Sequence, residues 1–224
     1  MPVDPDATIE ITGYQWVPPF GQGRVKDLRV RWALEEIDLP YRERLIGGIF
    51  EEKPAEYLAD QPFGQVPVYK EHGLTLFESG AILLHIGEQD ERLLPRDAAR
   101  RGRAISWMIA ALNSVEPMLQ MLVILNVAAA DYDWQDAAKD VARPFAEKRL
   151  AMVARALGDR DWLDGGFTVG DLMMIDVLRV VPAPMLAACP NLTAYVERGT
   201  KRPAFTRALA AQLAAYAKHA PQDA

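Results

Sequence analysis

Apolar and polar positions change their period along this chain, and the changes mark its elements. In residues 8–12 Ile9 and Ile11 alternate with polar neighbours, the period of two that a short strand requires. Pro18, Pro19, Gly21 and Gly23 then interrupt regular structure. From 24 to 37 the apolar positions Val25, Leu28, Val30, Trp32, Ala33, Leu34 and Ile37 form a broad helical face, and Asp38-Leu39-Pro40 closes that helix. Residues 41–46 read as a second strand and 54–59 as a short helix. Two more strands, 66–69 and 74–77, fold about Glu71-His72-Gly73. A helix over 80–88, with Ile82, Leu83 and Ile86 at helical spacing, completes the order βαβαββα. Alternation of this kind specifies an α/β layer.

Beyond Leu94-Pro95-Arg96 the period is helical throughout. Helices are predicted over 98–127, 134–157 and 168–183, with shorter ones after Pro190 and Pro203. Pro117 is expected to kink or break the first, because proline lacks a donor and crowds the preceding turn. Thr168 and Asp171 have the spacing of a capping box, with Phe167 and Leu172 as its hydrophobic staple. Asn191 is read as the cap of the helix after Pro190, and residues 219–224 as a frayed end. The division expected is an α/β domain over 1–90 and an all-helical domain over 97–224.

Half of the 224 residues are hydrophobic, enough to build two modest cores. The net charge of −6, with Lys and Arg dispersed among acids, argues against a nucleic-acid partner. A single cysteine, Cys189, leaves no internal disulfide and no CxxC pair, which suits a reducing cytoplasm. His72 and His85 have no second ligand at metal spacing, so no metal is expected. The first ten residues carry acids where a signal peptide carries bases. The richest apolar stretch, 118–130, is interrupted by Gln120 and Asn126 and is shorter than the roughly 20 residues a bilayer needs. No membrane partner is expected.

The chemistry concentrates in Gly64-Gln65-Val66-Pro67-Val68 and, ten residues on, Phe77-Glu78-Ser79-Gly80-Ala81-Ile82. Together these resemble the glutathione-binding half of the soluble glutathione S-transferases. Phe167-Thr168-Val169-Gly170-Asp171-Leu172, Pro190-Asn191-Leu192-Thr193-Ala194-Tyr195 and Arg202-Pro203-Ala204-Phe205 resemble that family's helical domain. The resemblance covers almost the whole chain. It implies a thioredoxin-like N-terminal domain, a cis peptide before Pro67, and glutathione as co-substrate. Val66 then pairs its backbone with the cysteinyl unit, as an added strand does. Ser79, opening a helix, takes the γ-glutamyl carboxylate, and Glu78 takes the ammonium. Gln65 and Lys53 are the polar candidates for the glycine end.

Serine- and cysteine-type activation of the thiol are excluded at the family's usual position, since no serine precedes Ser79 and Cys189 lies far away in sequence. Two alternatives stay open. One is the Tyr14 hydroxyl, placed to donate to a thiolate. The other is the set of free N–H groups where the loop from Pro18 to Gly23 enters a helix. By family analogy Trp16, Phe20, Trp107, Met108 and Ala111, with Met118, line an apolar pocket for a small hydrophobic electrophile. The resemblance implies a cytoplasmic homodimer that transfers glutathione to an electrophile or peroxide. A non-catalytic glutathione-binding module and a glutathione-dependent isomerase are the alternatives.

Overall fold

A computed structural model describes residues 3–221. The chain forms two compact units: one runs to Leu94 and resumes at Lys201, and the other is Pro95–Thr200. The predicted tail falls partly on residues 222–224, outside the described residues.

The first unit is built on a four-stranded mixed sheet of order β2-β1-β3-β4. β1 (Ile9–Tyr14) pairs in parallel with β2 (Tyr41–Ile46), across α1 (Asp27–Glu36). α2 (Ala55–Asp60) leads to β3 (Val68–Glu71), which is antiparallel to β1 and to β4 (Leu74–Phe77). α3 (Ser79–Gly87) follows β4 directly. This is the βαβαββα order of a thioredoxin-like domain. β3 starts two residues later than predicted, at Val68, because Pro67 has no N–H for a ladder. α1 starts at Asp27 and not at residue 24, since Gly23 takes a positive φ of 71° and the next three residues complete a turn.

The second unit is helical. α4 (Ala98–Ala110) passes through one wide π turn, Ala111–Val115, into α5 (Glu116–Val127). Pro117 therefore does not end the helix. It sits in the first turn of α5, where a missing N–H is no loss, and the wide turn absorbs its bulk. The whole run Ala98–Val127 is 30 residues long and, by length and composition, apolar enough to cross a membrane. The expectation drawn from the shorter stretch 118–130 is corrected to that extent. Its buried positions, Ala104, Met108, Ala111, Val115, Leu119, Leu122 and Leu125, recur every three or four residues. That spacing marks one face packed into a protein core.

α6 (Gln135–Leu157) carries Pro144 inside it. α7 (Val169–Leu178) is buried along its entire length and ends before the predicted residue 183. Val181 precedes Pro182, and a residue before proline disfavours helical backbone. α8 (Ala183–Ala187) and α9 (Pro190–Thr200) complete the unit. The capping box forms: Thr168 and Asp171 exchange both bonds, and Asp171 also accepts from Leu163 N–H at 2.8 Å and Tyr195 O–H at 2.9 Å. Asn191 does not cap its own helix. Its amide donates to Ala154 and Gly158 carbonyls, at 2.8 and 3.1 Å, and closes the C-terminus of α6.

The last helix, α10 (Pro203–Lys218), belongs with the first unit, against the expectation of one helical domain over 97–224. It packs on α1. Arg202 bonds both Glu36 oxygens at 2.6 and 2.7 Å, Arg207 bonds Glu35 at 2.5 Å, and Phe205 meets Trp32 edge to face at 4.9 Å.

Candidate functional site

Two chain reversals in the first unit bring the motif residues together. Gly64, at φ 64°, turns the chain after α2, and the Val66–Pro67 peptide that follows is cis. Tyr57, fully buried, donates to the Gln65 carbonyl at 2.6 Å and pins this segment to the body of the unit. β3 pairing begins only at Val68, so Val66 lies outside the ladder. Opposite it, β4 ends at Phe77 and Glu78 makes the turn into α3 with φ 66° and ψ 115°. Such backbone costs a side-chain-bearing residue about 1–3 kcal/mol and is held where surroundings over-determine it.

Between them lies a small open cleft lined by Lys26, Gln61, Gln65, Val66, Pro67, Glu78 and Ser79. Gln65 and Glu78 are exposed at its rim, while Val66, Pro67 and Ser79 are buried in its wall. Ser79 opens α3, whose first N–H groups have no intrahelical acceptor and carry the positive end of the helix dipole. An acid at the rim beside a hydroxyl and a helix N-terminus suits a zwitterion, and the unpaired edge at Val66 suits a peptide backbone.

Lys53 is not in this cleft. Its ammonium is taken by the Gly48 and Glu51 carbonyls, at 2.5 and 2.7 Å, and sits 5.2 Å above the Tyr14 ring. Tyr14 is not there either. It ends β1 only 5% exposed, in an apolar cluster with Val17, Tyr57, Val66, Val68 and Tyr216. Burial, and then the nearby Asp27 carboxylate, push its pKa up. The feature that selected it, a lone hydroxyl near the end of the first strand, does not report which side of the strand it faces.

Behind the cleft Asp27 and Arg31 form a buried pair at 2.8 Å. Arg31 also bonds Glu43, and Gln212 of α10 donates to Asp27 at 2.6 Å. Burial raises the Asp27 pKa, opposed by Arg31 and Gln212.

Of the residues expected around a second substrate, Trp16 is half-buried against the Tyr14 cluster and Phe20 is 56% exposed. Met108 and Ala111 are core residues, 2% and 0% exposed, and Trp107 lies close against Gly170, where α4 and α7 cross. Met118, expected with them, lines an open apolar groove in the second unit together with Met121, Leu125, Ala138, Val141, Ala142 and Phe145. Among the described residues no group of three His, Cys, Asp or Glu side chains is placed to hold a metal.

Sequence reasoning missed Lys26, Gln61 and Arg29. Gln61 follows α2, 2% exposed, and accepts from Phe63 N–H at 2.6 Å. Lys26 is the residue before α1, legible only once that helix is known to start at Asp27. Arg29, 3% exposed, donates to the Ser79 hydroxyl at 3.2 Å. No spacing rule links positions 29 and 79.

The sheet order and the cleft at the start of α3 define a thioredoxin-like ligand-binding domain. Residues 21–88 match the family described as glutathione S-transferase, N-terminal domain. The chain is similar to the glutathione S-transferase GstB of Escherichia coli (strain K12), 29% identical over 184 residues that cover 79% of this chain and 88% of that protein. A maleylacetoacetate isomerase of Rhizobium meliloti (strain 1021) is 30% identical, covering 80% of this chain and 89% of its own length. Among solved structures, the theta class glutathione S-transferase from Xanthomonas axonopodis pv. citri, with glutathione bound, is 25% identical, with a TM-score of 0.74 over 91% of this chain and 97% of that one. The chain belongs to the glutathione S-transferase family.

Proposed function

We propose that this protein is a glutathione transferase that binds reduced glutathione in the cleft between Val66 and Ser79 and directs its thiolate at a small electrophile. One observation carries the reading: the Val66–Pro67 segment, outside the strand ladder, and the Glu78–Ser79 helix start line the same cleft. In it Val66 pairs with the cysteinyl backbone, and Ser79 with the α3 N-terminus takes the γ-glutamyl carboxylate. Glu78 takes the ammonium, and Gln65 and Gln61 lie in reach of the rest. With Tyr14 in the core, thiol activation falls to the start of α1. There the Lys26 ammonium at the rim of the cleft favours the thiolate. Rate acceleration then comes from proximity and from the ionised nucleophile. Trp16 and Phe20 are the apolar side chains offered by the first unit to the electrophile. A homodimer belongs to this reading, supported by the exposed Phe50 and Phe63, and sedimentation equilibrium checks it.

Calorimetric titration of reduced glutathione into the wild type and Ser79→Ala tests the site. Micromolar to millimolar binding by the wild type, weakened about tenfold or more in the variant, is expected. A wild type without affinity for glutathione ends the reading. The similarity to a maleylacetoacetate isomerase favours a second activity at the same site, glutathione-dependent isomerisation of an unsaturated diacid. A glutathione-dependent change in the ultraviolet spectrum of such a diacid, without loss of free thiol, distinguishes it from transfer.

A further inference from the structure

Arg29 lies on α1, on the side that faces α3, and is 3% exposed. Its Nη1 donates to Ser79 Oγ at 3.2 Å, inside the first unit. A guanidinium has donors only, so this bond occupies a lone pair of the serine oxygen. The hydroxyl proton must then point away from Arg29, and Ser79 is 5% exposed at the wall of the cleft. A serine hydroxyl alone can serve as donor or acceptor; one that already accepts from a buried arginine has one lone pair taken and its proton turned away from Arg29, which favours donation to a ligand. A ligand oxygen at the usual ~2.7 Å from Oγ is also at most about 6 Å from the guanidinium, which adds its charge in a partly desolvated wall.

We infer that Arg29 is a positioning residue that acts through Ser79: it turns the serine proton towards the cleft and so makes this corner favour a carboxylate over a neutral or cationic group. The inference rests on the glutathione reading and deepens it. Specificity for the γ-glutamyl end is then divided between two neighbours of opposite character. Glu78 at the rim reads the ammonium, and Ser79, polarised from behind, reads the carboxylate. A bond between two buried polar groups also ties α1 to α3, so its loss must be separated from simple loosening of the helix pair.

Glutathione and 4-aminobutyryl-cysteinylglycine, the same tripeptide without the glutamyl α-carboxylate, provide that separation. Each is titrated, by competition where weak, into wild type, Arg29→Met, Arg29→Lys, Ser79→Ala and the double variant Arg29→Met/Ser79→Ala, with thermal unfolding in parallel. Arg29→Met is expected to weaken glutathione about tenfold or more and the analogue less than about twofold. Arg29→Lys, which keeps a donor and the charge, is expected to recover most of the loss. In the Ser79→Ala background the Arg29→Met effect is expected to shrink below about threefold, the non-additivity of residues that act as one. Equal weakening of both ligands, or a full Arg29→Met effect without Ser79, overturns the inference and leaves Arg29 as a packing residue. If Arg29→Met does not fold, Arg29→Lys and Arg29→Gln decide by the same ratio of the two ligands. Wild-type binding of glutathione with no change in any Arg29 variant overturns this inference alone, whereas a wild type without affinity overturns the function and this inference with it.

Discussion

A lysine at the rim of the cleft and a phenol held in the core are expected to contribute unequally to a bound thiol. Lys26 is exposed and lines the site, and a cation near the sulfur lowers its pKa, moderated by solvent. Tyr14 is held in the apolar cluster, its own pKa raised by burial and then by Asp27. Lys26→Met is therefore expected to move the appearance of the thiolate band of bound glutathione to higher pH by on the order of half to one unit. Tyr14→Phe is expected to leave it in place. The reverse pattern in the ultraviolet titration would return the catalytic role to Tyr14. At this scale the sequence is readable where chemistry is local: Glu78 and Ser79 are neighbours, and ten residues of spacing tie them to Pro67. It is not readable where a side chain's role depends on what lies behind it. Tyr14 is chosen from the chain because it is a hydroxyl near the end of the first strand, and its burial in an apolar cluster is not written there. Arg29 looks like one more polar position on a helix until Ser79, fifty residues away, is found against it.

Elements whose signals lie within a few residues form much as their patterns predict. β2 and β4 keep their predicted bounds, and α7 starts where Thr168 and Asp171 place it. Departures occur where proline acts on the backbone: β3 waits for Val68, and the long apolar helix widens at 111–115 and so continues past Pro117. The start of α7 has more at stake than an ordinary cap. Asp171 is fully buried and accepts from Leu163 N–H, Thr168 N–H and Tyr195 O–H. Removing it orphans three buried donors at about 1–3 kcal/mol each. In urea unfolding Asp171→Ala is expected to cost more than about 3 kcal/mol, and Thr168→Ala, which loses the cap and one of the bonds to Asp171, about 1–2 kcal/mol. Equal and small losses would show that water replaces the carboxylate.

Across the whole molecule, tyrosine burial sets the alkaline limit. Tyr14, Tyr41, Tyr57, Tyr69, Tyr195 and Tyr216 all have pKa values above the ordinary phenol range, in each case chiefly because burial disfavours the phenolate. A folded pKa above the unfolded one contributes stability that is complete below the unfolded value, about 10, and is lost as pH rises beyond it. These six of the seven tyrosines are expected to ionise together with unfolding, in a single steep rise of phenolate absorbance above pH ~10 that coincides with loss of circular dichroism. Gradual ionisation in the folded state would contradict the packing around them. The chain order hides one further arrangement. Arg202 and Arg207 reach Glu36 and Glu35 across more than 160 residues, and Gln212 reaches Asp27. Nothing in the spacing of a C-terminal helix says that it belongs to the first sheet.

That return of α10 has a consequence for biosynthesis. Domains generally fold as they emerge from the ribosome, the N-terminal one first. Here the unit made first lacks a wall until the last helix has been translated. A nascent chain arrested at Thr200 would hold every residue that lines the cleft and still lack Gln212 on Asp27, Arg207 on Glu35 and Arg202 on Glu36. The framework behind the cleft is therefore complete only once α10 has been made, and a proteolytic cut between Thr200 and α10 is expected to weaken the cleft without removing any residue that lines it.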